Sequence, residues 1–155
     1  MANFDAPGFN DPAPAFPTSG LHYVPIKYTN GSTVITSSDK LRLCKLPKNA
    51  LIIPELCSFF SNDVDPDSGA NLTVALKVTD GATTKTIIAA QNLQAINIRV
   101  VASAASISGL EFFKTGTNDF YAYLEPAVGD IDASAEIFAV LVYTMDVSGR
   151  YETTS

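Results

Sequence analysis

The stretch Leu72-Thr-Val-Ala-Leu-Lys-Val-Thr-Asp-Gly81 decides the fold class of this 155-residue chain. Its leucines and valines alternate with threonine, alanine and lysine, which is the two-residue period of a β-strand with one face in a core. The Asp-Gly pair at its end is typical of a tight turn. The stretch therefore predicts a half-buried strand that runs into a turn.

The same kind of pattern recurs along most of the chain. Residues 96–100 and 120–125 show the alternation again, and β-branched or aromatic residues predict further strands at 21–28, 32–36, 41–46, 51–60, 83–88, 106–113 and 135–147. Turn residues such as Asn30-Gly31 and Gly129-Asp130 separate these strands. Only 88–94 leaves room for a short helix, and the β-branched residues at its start disfavour one. The pattern predicts an all-β protein, an antiparallel sandwich or barrel.

The first twenty residues differ from the rest in composition. Five of the nine prolines lie within residues 1–25, and the first basic residue is Lys27. Proline fixes φ and lacks an amide donor, so it excludes regular helices and central strands. We therefore expect an extended Pro-rich arm over 1–20, a β-sandwich domain over 21–148 and a C-terminal tail over 149–155. Without a basic region followed by an apolar run, the arm does not have the features of a signal peptide.

The arm also carries three spaced phenylalanines, Phe4, Phe9 and Phe16. Each could fill a pocket on a neighbouring protein, while ordering the backbone costs about 1 to 2 kcal/mol per residue. The balance between burial of these rings and the entropy cost of ordering the backbone predicts an arm that is mobile in the free protein and gains order on a neighbouring subunit.

Composition narrows the range of partners. The net charge is −6, which disfavours nucleic-acid binding because such binding relies on many cations that neutralise phosphates. The longest strongly apolar run, 137–143, is far shorter than the roughly 20 residues of a membrane-spanning helix. We therefore expect neither nucleic acid nor membrane as a partner. Cys44 and Cys57 are expected to be reduced core residues, since two cysteines are few for a disulfide framework.

Little in the sequence indicates an active site. The only histidine, His22, stands alone at the start of a predicted strand, and Ser37-x-x-Lys40 and Lys114-Thr115-Gly116 are short matches to serine acyl-transferase motifs in turn-rich sequence. The loop with Asp63, Asp65 and Asp67 departs from an EF-hand pattern at its glycine and glutamate positions. We expect no catalytic residue, cofactor or metal, with a weak calcium site in this loop as the alternative.

Two surface features are candidates for partner contacts. The first is a basic cluster on an otherwise acidic chain, made of Lys40, Arg42, Lys45 and Lys48. Such charges either protect a sheet edge from pairing or dock on an acidic protein surface. The second is the pair Tyr121 and Tyr123, which share one side of their strand and could stand outward together. An outward tyrosine pair could pack in a subunit interface or stack on the ring of a bound sugar.

The order of motifs resembles one protein family. Residues 40–53, Lys-Leu-Arg-Leu-Cys-Lys-Leu-Pro-Lys-Asn-Ala-Leu-Ile-Ile, are similar to the strand, Leu-Pro-Lys-Gly-Ala turn and second strand of the small β-rich decoration, or cement, proteins of tailed bacteriophage heads. The stretches 72–81 and 136–143 are similar to that family's alternating strand and closing strand. The resemblance covers about 32–147, and Asn49 stands where the family often has glycine. Asparagine also tolerates the left-handed conformation.

This resemblance implies a jelly-roll-like sandwich, often trimeric, that binds the outside of a capsid across junctions between major capsid subunits. It implies no active site. The expected function is a non-enzymatic virion structural protein on the capsid exterior, with the major capsid protein and itself, as a homotrimer, for partners. The alternative is a head-fibre module or a receptor- or carbohydrate-binding module of a virion.

Overall fold

A computed structural model describes residues 1–11, 20–61, 72–93, 99–101, 113–115 and 120–145. Eleven strands lie in these ranges: β1 Asn3–Asp5, β2 His22–Thr29, β3 Lys40–Leu46, β4 Ala50–Ile52, β5 Ser58–Ser61, β6 Thr73–Thr79, β7 Thr84–Asn92, β8 Arg99–Val101, β9 Phe113–Lys114, β10 Phe120–Val128 and β11 Glu136–Met145. The only helical element among them is one 3-10 turn, Pro54–Leu56. No helix in the described ranges is long and apolar enough to cross a membrane.

The strands form two sheets. The first sheet has the order β1-β3-β10-β6-β7, and the second has the order β8-β5-β11-β4-β9 with β2 also paired to β11. Strand β1 runs parallel to β3, and every other pairing among the described strands is antiparallel. From β2 onward the chain crosses repeatedly from one sheet to the other, as in sandwiches built from Greek keys. The prediction of an all-β sandwich is confirmed.

Apolar side chains from both sheets fill the space between them. The largest fully buried ones include Leu41, Leu76, Leu124, Phe59 and Tyr143. Each side chain of this size contributes about 1.5 to 3 kcal/mol when it leaves water. The alternation seen in the sequence produces this core, because every second residue of β6 and β10 faces inward.

A β-bulge in β3 changes which residues face outward. The pairing with β10 shifts after Cys44, which lies opposite Ala122, so that Tyr123 is opposite Arg42 and Leu43 is the extra residue. As a result Leu43 and Cys44 both pack in the core. Without the bulge, a strict alternation would have turned Lys45 inward together with Leu43.

Two local predictions differ from the structure. The predicted strand 51–60 is split into β4 and β5, because Pro54 starts a 3-10 turn between them. The predicted strand 32–36 contributes only the isolated bridge between Ile35 and Ile131. The short helix at 88–94, which the β-branched residues disfavoured, is not found in the described part of that range: β7 continues to Asn92.

Backbone conformations at the turns follow the residue types. Asn49 has φ +60°, a left-handed conformation that asparagine tolerates. Gly81 has φ +94° in the turn after β6. Gly129 has φ +73°, and a Cβ at this position would lie 3.1 Å from the Leu72 Cα. The chain requires glycine there for both reasons.

Both cysteines are buried free thiols, as predicted. Burial raises the pKa of Cys44 to about 12 and that of Cys57 to about 11. The Cys57 thiol donates to the carbonyl of Ile53 at 3.4 Å and accepts the amide of Val142 at 3.4 Å. The two residues therefore behave as small core side chains.

Candidate functional site

Most of the residues predicted to contact partners lie together on the outer face of the first sheet. We call this surface the Arg42 face; it consists of Asp5, Phe9, Lys40, Arg42, Lys45, Tyr121 and Tyr123. The antiparallel register sets Tyr121 opposite Lys45 and Tyr123 opposite Arg42. Because the bulge turns Leu43 and Cys44 inward, the basic residues of β3 and the tyrosines of β10 share one side of the sheet.

The N-terminal strand lies along one edge of this face. Asn3, Phe4 and Asp5 pair in parallel with residues 40–42 of β3. The amide of Lys40 donates to the carbonyl of Ala2 at 3.0 Å, and the amide of Ala6 donates to the carbonyl of Arg42 at 2.9 Å. These bonds satisfy backbone groups at an edge of β3 that would otherwise be open.

A single carboxylate secures the start of this strand. The Asp39 Oδ1 atom accepts the amide of Ala2 at 2.6 Å, and its Oδ2 atom accepts the amide and the hydroxyl of Thr36 at 3.0 and 2.9 Å. Hydrogen bonds from the Ala2 amide first, and then from Thr36, hold the pKa of Asp39 below its ordinary value of 3.8. The folded N-terminus therefore favours the ionised form of Asp39.

Arg42 links the N-terminal strand to the outer face. Its Nε and Nη2 atoms donate to the two carboxylate oxygens of Asp5 at 2.6 and 2.9 Å, a bidentate pair. The guanidinium carbon also lies 4.5 Å from the centre of the Phe9 ring. Phe9 meets Tyr121 edge to face with 5.9 Å between the ring centres, and the ammonium of Lys45 lies 5.6 Å from the Phe9 ring.

A short hook in the chain brings Phe9 to this position. Pro7 and Gly8 follow the strand, and Gly8 has φ +79°, a conformation that favours glycine. The amide of Phe9 then donates to the carbonyl of Ala6 at 3.0 Å, and the amide of Asp11 donates to that of Gly8 at 2.9 Å. Phe9 is left only 4% exposed.

These contacts correct the expectation for the first part of the arm. Within the single chain Phe9 packs on the first sheet, and Phe4 packs against the core. Residues 3–5 form a strand, which the first proline, Pro7, does not prevent because it follows the strand. Phe16 lies outside the described residues. The boundaries of the arm, domain and tail stay a prediction.

Tyr123 also differs from the expectation, because it is only 1% exposed. The ammonium of Lys40 lies 4.7 Å from the centre of its ring, and Tyr121 is 5.8 Å away between ring centres. Burial, and after it the charge of Glu125, raises the pKa of Tyr123, whereas a hydrogen bond with Thr84 lowers it. A sugar needs an exposed ring on which to stack, so this tyrosine pair is poorly suited to carbohydrate.

The charges of this face do not cancel among the described residues. Arg42 pairs with Asp5, and the neighbouring Lys77 pairs with Glu125. Lys40 and Lys45 form no ion pair with any described residue, and both ammonium groups lie over aromatic rings. The face therefore has positive charge available for a carboxylate from another molecule, on a chain whose net charge is −6.

The remaining candidates are placed elsewhere. Lys48 is exposed in the turn after β3, away from the strand pairing. His22 stacks on Tyr143 with 5.2 Å between the ring centres. Thr115, from the Lys-Thr-Gly match, is buried, where it accepts the Ala50 amide and donates to the Pro47 carbonyl, both at 2.8 Å. Its role is to join the end of β9 to the turn between β3 and β4.

Metal chemistry receives no support from the described part of the chain. No group of three or more histidine, cysteine, aspartate or glutamate side chains that could hold a metal ion occurs in those ranges. The acidic loop with Asp63, Asp65 and Asp67 lies outside them, so the calcium alternative stays a prediction.

Sequence reasoning missed two residues that hold the N-terminal strand, Asp5 and Asp39. A signal for the first was present: Asn3-Phe4-Asp5-Ala6 alternates polar and apolar residues before the first proline, as a short strand does. No local signal marks Asp39, because its partner Ala2 is 37 residues away.

The fold is similar to proteins of two phage capsids. A chain in the capsid of Ralstonia phage GP4 superposes with a TM-score of 0.71 and 17% sequence identity, covering 94% of this chain and 99% of that one. A chain in the cyanophage Pam1 capsid asymmetric unit superposes with a TM-score of 0.54 and 14% identity, covering 81% and 84%. No protein-family model and no curated protein sequence matches the chain. At these identities the comparisons show a shared fold.

Proposed function

We propose that this chain is a non-enzymatic structural protein of a phage virion that binds the outside of the capsid and stabilises it. The observation that carries the proposal is the fold similarity to a chain of a phage capsid over 94% of this chain and 99% of the other. Coverage of this extent means that the shared fold is not confined to one part of either chain.

The described residues support a binding role over a catalytic one. The Arg42 face combines packed aromatic rings with two lysines, Lys40 and Lys45, that have no carboxylate partner among the described residues. Positive charge next to apolar surface suits a partner segment that carries Asp or Glu. We propose that the major capsid protein supplies this segment and that the protein acts as a homotrimer across junctions between capsid subunits.

Stabilisation follows from ordinary linkage. A protein that binds only the mature, expanded shell lowers the free energy of that shell by an amount set by its concentration and affinity. No reacting group is needed, because the work is done by binding alone.

The test uses phage heads from which this protein has been removed by deletion of its coding sequence. Heads without it are expected to release DNA at a lower temperature, and the addition of purified protein is expected to restore the release temperature. Electron microscopy of the restored heads then locates the protein. If restored heads carry the protein at their vertices as fibres, or if heads of both kinds release DNA at the same temperature, the proposal is wrong.

The role of the Arg42 face is tested with matched neutral substitutions. The double variant K40Q/K45Q should bind heads about tenfold more weakly, since each exposed charge pair contributes up to about 1 kcal/mol. The control is K27Q, because Lys27 is an exposed lysine of the second sheet, 2.9 Å from Glu136. Equal binding of both variants would assign the capsid contact to another surface.

A further inference from the structure

The N-terminal segment is held by a self-contained docking site. The contacts that hold residues 2–11 on the body of the protein are to residues far along the chain, chiefly Asp39, Arg42 and Tyr121. The hook at Gly8 is held by hydrogen bonds within the segment itself. None of these contacts involves the connection to β2, so the segment of any identical copy fits the same site.

The connection is longer than the separation of the two sheets requires. Its two ends lie in different sheets: Asp11 follows the hook on the first sheet, and the Gly20 carbonyl accepts the Thr144 hydroxyl beside the second sheet at 3.1 Å. Packed sheets are about 10 Å apart, whereas the nine residue steps from Asp11 to Gly20 can span up to roughly 30 Å. The sequence 12–19 contains three prolines. Proline favours extended backbone at its own position and the one before it.

We propose that copies of this chain exchange their first eleven residues, so that β1 and Phe9 of one copy occupy the β3 edge and the Arg42 face of a second copy. The exchanged contacts are the same as those within one chain. A body that has lost its own segment has an open β3 edge, so it gains by accepting the segment of another copy. Exchange of an identical element is a low-cost route to closed oligomers. The inference concerns the free protein and does not depend on a virion role.

Charge reversal at one ion pair distinguishes exchange from simple docking. The variant D5R sets two arginines against each other at this pair, and R42D sets two aspartates against each other, so like charges meet when either variant docks its own segment. When the two variants are mixed, exchange of segments between them brings opposite charges together at both sites. The side chains of Asp5 and Arg42 are partly exposed, at 36% and 27%, which favours normal folding of the variants.

The expected result is a complex containing one D5R chain and one R42D chain. The dissociation constant of this mixed complex should be at least about tenfold lower than that for self-association of either variant, since each exposed charge pair changes from repulsion to attraction. Native mass spectrometry identifies the composition. The double variant D5R/R42D is the matched control and should behave as the unmodified chain. A mixture that behaves as the sum of its two components overturns the proposal.

A second measurement applies even if a charge variant fails to fold. Asp5 and Arg42 are direct register partners in the parallel ladder, so exchange sets D5C of one chain against R42C of another, whereas chance encounter would also join 5 to 5 and 42 to 42. After mixing and mild oxidation with oxidised glutathione, peptide mass spectrometry should find the disulfide between positions 5 and 42. Cys44 and Cys57 are buried and do not compete. The absence of this cross-link, while each variant alone is folded, also overturns the proposal.

Discussion

Phe9→Ala tests the energetics of the N-terminal segment. Phe9 is 4% exposed, and burial of a phenylalanine contributes about 1.5 to 3 kcal/mol. The edge-to-face contact with Tyr121 and the guanidinium of Arg42 add about 1 kcal/mol. The loss of about 3 kcal/mol should raise the fraction of molecules with an open segment roughly 100-fold, at about 1.4 kcal/mol per tenfold.

Hydrogen exchange measures this fraction directly. The amides of Ala6 and Lys40 are bonded across the junction between the segment and β3, so their exchange should accelerate by up to about 100-fold in Phe9→Ala. Amides in the centre of β10 should keep their protection, because opening of the segment leaves the sandwich intact.

The matched control is Phe60→Ala on the second sheet. Phe60 is half-buried and stacks on Phe138 with 4.8 Å between ring centres, on the sheet opposite the N-terminal segment. This variant should lower the global stability and leave the Ala6 and Lys40 amides protected against local opening. If these amides exchange equally fast in both variants, or are unchanged in Phe9→Ala, the reasoning about Phe9 is refuted.

Three further outcomes follow from single contacts. Gly129→Ala should reduce the free energy of unfolding, measured in denaturant melts, by about 1 to 3 kcal/mol, since φ is +73° and the added Cβ would lie 3.1 Å from backbone. The control Gly31→Ala, with open space around the added Cβ, should have little effect in the same measurement. The folded state lowers the pKa of Asp39 below 3.8, so the contribution of this carboxylate to stability is complete above that pH and is lost as the pH falls below it. Chemical shifts of the N-terminal amides should report the loss. The substitution Asp39→Asn should abolish this pH dependence. Cys44 and Cys57 should resist alkylation at about pH 8 until the protein unfolds, and fast labelling of the native protein would contradict the burial of both thiols. Because their pKa values are raised from 9.0 to about 12 and 11 in the folded state, the free energy of unfolding should fall as the pH rises above 9.

The outward side of β3 and β10 could be predicted in part. Alternation identified β10 and residue type identified β3, and the structure brings Lys40, Arg42, Lys45 and both tyrosines together on one side. The bulge at Leu43 could not be predicted from β3 alone. A bulge exists only relative to a partner strand, so its position depends on how β3 and β10 fit together.

Phe9 illustrates the opposite case. Its neighbours in sequence are prolines, glycine and polar residues, which correctly indicate irregular backbone but contain no information about the surface on which the ring rests. That surface is formed by residues from β3 and β10, which are distant in the sequence. A spaced phenylalanine in a proline-rich segment has the same local pattern whether it anchors on its own chain or on another.

The amino-acid sequence by itself determined the all-β class, the main strands, the turns at Asp80-Gly81 and Gly129-Asp130, and the buried state of the two cysteines, because each depends on residue type and spacing within a few positions. Tertiary structure alone decided that β1 pairs in parallel with β3, that Asp5 and Asp39 hold the N-terminus, and that Tyr123 is covered. These features depend on contacts between segments that are distant in the sequence. Such contacts form only when the chain folds and brings those segments together.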